Sequence, residues 1–142
     1  MSNKSSDATY LRREFEEAGV GARWLEAEKA AHAYEYASQY VSPVRYGLRE
    51  GSVRDIESHT VASEAVAKSW VNERLPATGT VQIVYGRDEV CVVDAQALRE
   101  NWLNIFVPGR DDAIVLHNLS DALLFVCHES KLEFGYRTAT SQ

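Results

Sequence analysis

The run ALLFVC at residues 122–127 is apolar at every position. Successive side chains of a strand point to opposite faces. Leu123, Phe125 and Cys127 therefore share one face, and Leu124 and Val126 the other. A strand apolar on both faces belongs in the interior of a sheet. Its neighbours AIVLH (113–117) and LEFGYR (132–137) read as further strands, separated by the polar turns NLSD and ESK. Connections that short favour antiparallel pairing. Upstream, TVQIVYGRDEVCVVD (80–94) holds two β-rich runs around GRDE, a hairpin signal.

The first half of the chain has a different period. DATYLRREFEEAG (7–19) predicts a short helix capped by Ser6 or Asp7, with Leu11 and Phe15 one turn apart and Gly19 as its stop. GARWLEAEKAAHAYEYASQYV (21–41) predicts a helix of about five turns. Its seam would be Trp24, Ala27, Ala31, Tyr34 and Val41, and Pro43 ends it. Residues 42–59 have two glycines and weak periodicity, and read as a loop with one turn of helix at most. TVASEAVAKSWVNERLP (60–76) predicts a third helix, begun by Thr60 or Ser63, with Val66, Trp70 and Val71 on its apolar face. Asp94 is a good N-cap for AQALRENWLNIF (95–106), a helix set among the strands, with Leu98, Trp102, Ile105 and Phe106 on one stripe.

The expected fold is therefore α+β: N-terminal helices followed by a mostly antiparallel sheet of about five strands with one inserted helix. One domain is expected over residues 1–142, with a helical part at 7–75, a sheet part at 80–137, and disorder at 1–6 and 138–142. The expected core is Leu11, Phe15, Trp24, Trp70, Ile83, Val92, Trp102, Ile105, Ile114, Leu116, Leu124 and Phe125. With 45% hydrophobic residues in 142, the chain can build such a core without a metal or a disulfide. Cys91 and Cys127 sit in strand-like runs and read as buried thiols.

Charge and hydropathy narrow the function classes. No run of about 18 apolar residues could cross a membrane. The polar N-terminus lacks the apolar core of a signal peptide, so the cytoplasm is the expected compartment. The net charge of −6 is spread along the chain. With no basic aromatic strip, it disfavours nucleic acid and suits a basic partner.

The segment from Asp111 to Glu129 carries reactive side chains: Asp111, Asp112, His117, Cys127, His128 and Glu129. Cys127 and His128 are consecutive and cannot act together from one strand. His117 and His128 fall at opposite ends of a hairpin. Cys-x-x-Cys, His-Glu-x-x-His and His-x-His spacings are missing, so neither metal nor cofactor is expected. There is no phosphate loop, nucleophile elbow or dinucleotide fingerprint. The enzymatic alternative is a small hydrolase or transferase using His117 or His128 with Asp112 or Glu129.

Aromatic residues stand out more. In YEYASQYVSPVRY, Tyr36 and Tyr40 share a helix face distinct from that of Tyr34, and arginines follow. Tyrosine beside arginine is enriched in protein interfaces. The plainer alternative is that these rings rest on the sheet with their hydroxyls wet. The candidate partner surface is Tyr36, Tyr40, Arg45, Tyr46 and Arg49. The second choice is the turn acids Asp88, Glu89, Asp111 and Asp112.

The run NWLNIFVPGRDDAIVLHNLSDALLFVCHESKLEFGYR, with Trp102, Phe106, Asp112, Phe125, Gly135 and Tyr136 as fixed points, resembles the C-terminal half of small bacterial proteins of unknown function. More loosely, it resembles cytosolic immunity proteins that neutralise secreted polymorphic toxins. The resemblance covers about residues 94–137. It implies a non-enzymatic protein that blocks a bacterial toxin or effector with acidic and aromatic groups. The implied partner is another protein rather than nucleic acid or membrane. A phage-encoded inhibitor of a host defence complex and a homo-oligomer are the alternatives.

Overall fold

The computed structural model describes residues 3–44, 47–61, 63–102, 112–127 and 130–138. Among them the order is α1 (Asn3–Ala18), β1 (Ala22–Trp24), α2 (Ala27–Ser38), β2 (Val53–Thr60), α3 (Glu64–Asn72), β3 (Thr80–Gly86), β4 (Glu89–Asp94), α4 (Ala95–Glu100), β5 (Ala113–His117), β6 (Ala122–Cys127) and β7 (Lys131–Arg137). The seven strands form one sheet in the order β1-β4-β3-β5-β6-β7-β2, every neighbouring pair antiparallel.

The α+β class and the antiparallel sheet agree with the sequence reading. The strand count and the helices-first order do not, because two strands lie within residues 7–75. Ala22–Trp24, expected in a helix, instead pairs with Val93–Cys91 along the outer edge of β4. Leu25 continues that contact by donating its N–H to the Val90 carbonyl (3.0 Å), and the helix starts only at Ala27. An open strand edge offers a short segment backbone partners that its side-chain spacing does not announce.

Residues 53–59, expected as loop, and Thr60, expected as a helix start, form the other edge strand. A bulge explains the missing alternation. Between Arg54 and Glu57, β2 advances three residues while its partner advances two, from Tyr136 to Phe134. Asp55 takes φ 56° there. The extra residue puts both Val53 and Ile56 on the same face. Gly135 lies opposite. A Cβ on it would collide with Val53 and stand 3.0 Å from the Arg54 carbonyl oxygen. That gives a physical reason for glycine in FGYR.

The sheet is covered on both faces. Leu124 and Val126 join Phe15 of α1, Val71 of α3 and Leu98 of α4 on one side. Leu123, Phe125 and Cys127 join Ala30 and Ala37 of α2, Tyr40 and Leu48 on the other. The face assignment read from ALLFVC therefore holds. Cys91 and Cys127 belong to opposite faces and form no disulfide.

Helix ends follow their caps. Ser63 accepts from the Val66 N–H (3.2 Å) and Asp94 from the Ala97 N–H (3.0 Å). α1 begins at Asn3, inside the stretch expected to be disordered. The seam of α2 also differs from the expected one. It buries Ala30, Ala37 and Tyr40 and leaves Tyr34 exposed, because Trp24 does not belong to the helix and cannot set its phase. Val66, expected on the apolar face of α3, is exposed; Val71 is buried as expected, and Ala67 takes the place of Val66. Of the expected core, Trp24, Trp70 and Val92 are half-buried, and Ile105 lies outside the described residues.

Candidate functional site

α2 crosses one face of the sheet and points its tyrosines two ways. Tyr36 and Tyr40 are one turn apart, with rings edge to face at 5.5 Å and hydroxyls 3.0 Å apart. Tyr40 is buried; Tyr36 is 45% exposed. Arg137, at the end of β7, donates to the Tyr36 hydroxyl (3.2 Å), to the His117 carbonyl (2.8 Å) and to the Ser120 carbonyl. The guanidinium thus ties the β5–β6 turn to the tyrosine pair. Burial, and then the Tyr36 hydroxyl, push the Tyr40 phenol up to about 12. Tyr40 is therefore a neutral hydrogen-bonding group. Beside the pair lies a polar cavity of about 350 Å³, reaching Asn118, Asp121 and Thr138. Leu119, at its rim, is 72% exposed.

Tyr34 faces the other way. The Arg87 guanidinium lies 5.8 Å from its ring centre and pairs with Glu35 at 2.9 Å. Asp88 and Glu89 close the β3–β4 turn, and Asp112 precedes β5. The pairing of Val84 with Ile114 brings these acids to one end of the sheet. The Tyr36–Tyr40–Arg137 group lies at the opposite end. The two expected patches are thus separate. Arg49 belongs with the acids rather than with Tyr36, because it lines a second cavity together with Asp112. Arg45, Tyr46 and Asp111 lie outside the described residues, as do His128 and Glu129.

His117 is buried, with both ring nitrogens engaged. Nε2 lies 2.7 Å from the Thr78 carbonyl oxygen and Nδ1 lies 2.8 Å from the Ser120 hydroxyl. A carbonyl only accepts, so Nε2 carries a proton, and in the neutral ring Nδ1 accepts from Ser120. His117 and Asp112 are five strand residues apart, roughly 16 Å at a strand's rise, so they do not meet. His59 stacks on Trp70 (5.3 Å, 16°), which also carries Arg74 over its ring at 4.2 Å. Among the described residues, no three His, Cys, Asp or Glu side chains are grouped to hold a metal ion. No described helix is long and apolar enough to cross a membrane.

Two residues outside the sequence reading organise the site. Arg137 had no signal, since an arginine ending a strand is ordinary. Glu133 had one: an acid in the middle of LEFGYR. It is buried on the α2 face, and its Oε1 accepts the Leu48 N–H at 2.7 Å. Oε2 accepts from the Ser58 hydroxyl (3.0 Å) and lies 3.3 Å from Lys131 Nζ. The carboxylate thereby pins to the sheet the segment that carries Arg49.

No protein-family model, curated protein or solved structure matches this chain.

Proposed function

We propose that the chain is a non-enzymatic binding protein that presents the Tyr36 end of α2, with Leu119, to a protein partner, and that it acts as an inhibitor of that partner. The observation that carries this reading is the fixed, exposed ring of Tyr36. Its hydroxyl is held by Tyr40 and Arg137, and its face packs edge-on against Tyr40. An aromatic side chain already immobilised loses little entropy on binding and makes an effective anchor. Leu119 adds apolar area beside it, and Asp121 adds charge. The net charge of −6 would steer a basic partner towards the surface. The engaged ring of His117 favours a structural over a catalytic part for that residue. The resemblance of residues 94–137 to immunity proteins supports a toxin or effector as the target.

The test uses two baits, the wild-type chain and Tyr36→Ser, exposed to the native lysate at moderate salt. The reading expects one stoichiometric protein on the wild-type bait, depleted on the variant, whose activity falls when the wild-type chain is added. Identical retention on both baits, or a retained protein whose activity is unchanged, would sink it.

A further inference from the structure

α2 ends at Ser38, and among the described residues no helix covers the sheet beyond it. There Val84, Ile114 and Phe125 are direct neighbours across β3, β5 and β6, all on the α2 face. They are the three most exposed of the buried residues in those strands, at 4%, 8% and 6%. Together they floor a cavity of about 420 Å³. That volume suits a small molecule rather than a polypeptide segment. Tyr34 and Ser38 wall it on the helix side, and Ser38 already donates to the Tyr34 carbonyl (2.8 Å).

The rim carries Arg49 and Asp112. Arg49 sits on a fixed backbone. Its N–H donates to the Tyr40 carbonyl (2.8 Å), and the preceding Leu48 N–H is held by Glu133. Its guanidinium has no hydrogen-bond or ion-pair partner among the described residues. Among the described residues, an apolar floor with an unpaired, backbone-anchored cation at its mouth selects an apolar body with an anionic end.

We infer that this cavity binds a small monocarboxylate with an apolar body, of the medium-chain fatty acid type. The chain lies on Val84, Ile114 and Phe125, and the carboxylate meets Arg49. The cavity opens at the end of the sheet away from Tyr36, so ligand binding and partner capture can fail independently.

The test is calorimetric titration of the intact chain with decanoate, decanol and decylamine below their micellar concentrations, with amide NMR shifts as the map. Decanoate should bind with shifts at Arg49, Ile114 and Phe125, and more tightly than decanol or decylamine. Arg49→Gln should weaken decanoate about tenfold or more while leaving decanol unchanged. Ser38→Trp, at an exposed helix position, should block the cavity without asking the core for room. The inference is overturned if decanoate does not bind at millimolar concentration. It is equally overturned if decanol binds as well as decanoate, or if Arg49→Gln changes nothing.

Discussion

Replacing Glu133 tests how the sheet holds the segment that bears Arg49. In Glu133→Leu the Leu48 N–H, fully buried, loses its acceptor at 2.7 Å. A buried donor without a partner costs about 1–3 kcal/mol, and a bond to a charged acceptor contributes about 1.5–3. Ser58 is exposed and can turn to water, so its loss is small. Lys131 is 36% exposed, and its ion pair is largely screened. Burying leucine in place of a carboxylate recovers some desolvation, but it cannot supply an acceptor for a backbone group. The net expectation is a loss of about 2–4 kcal/mol for leucine and about 1 for Glu133→Gln, whose amide oxygen still accepts from Leu48. At about 2–4 °C per kcal/mol, the leucine variant should melt roughly 5–15 °C lower. Urea unfolding at a common m value measures the difference, and hydrogen exchange at Leu48 localises it. A leucine variant within about 0.5 kcal/mol of wild type would refute the reasoning. So would a glutamine variant as damaged as the leucine one.

Other outcomes follow from single contacts. Gly135→Ala must displace Val53 or the Arg54 carbonyl and so disrupt the β2 bulge; a loss of about 1–3 kcal/mol in denaturant unfolding is expected, and a neutral result would remove the steric account. His117→Leu removes both ring bonds, but Thr78 and Ser120 are exposed and their groups can turn to water, so a cost of about 0.5–1.5 kcal/mol is expected, measurable by denaturant unfolding; a stability equal to wild type would contradict the part assigned to that ring. Tyr40 and Cys91 both ionise near 12 in the fold, mainly through burial, against 10 and 9 ordinarily. Their folded values are raised, so their contribution is intact below pH 9 and disappears as pH rises towards 12. The unfolding midpoint should drop over that window, and a midpoint constant across it would count against both assignments.

Much of the fold was legible because its signals are local. Ser63 and Asp94 mark their helix starts through bonds made within three residues, and ALLFVC carries its own two-faced pattern. β1 and β2 were not legible for a physical reason. A three-residue strand has too few positions to show a period. A bulged edge strand breaks the alternation at Asp55. The site was legible in composition but not in arrangement. Tyr36 and Tyr40 do form a pair, yet Arg137, 101 positions from Tyr36, completes it. Arg49 follows the tyrosines in sequence but faces the opposite end of the sheet, beside Asp112. Glu133 shows how a polar residue in an apolar strand announces a buried partner without naming it.

The most direct measurement is an NMR footprint of the isotope-labelled chain bound to the protein captured by the wild-type bait. The account predicts shift changes and amide protection concentrated at residues 34–40, at the Asn118–Asp121 turn and at Arg137. A footprint confined to α3, around exposed Val66, or to the β2 edge would contradict the assignment of the partner surface.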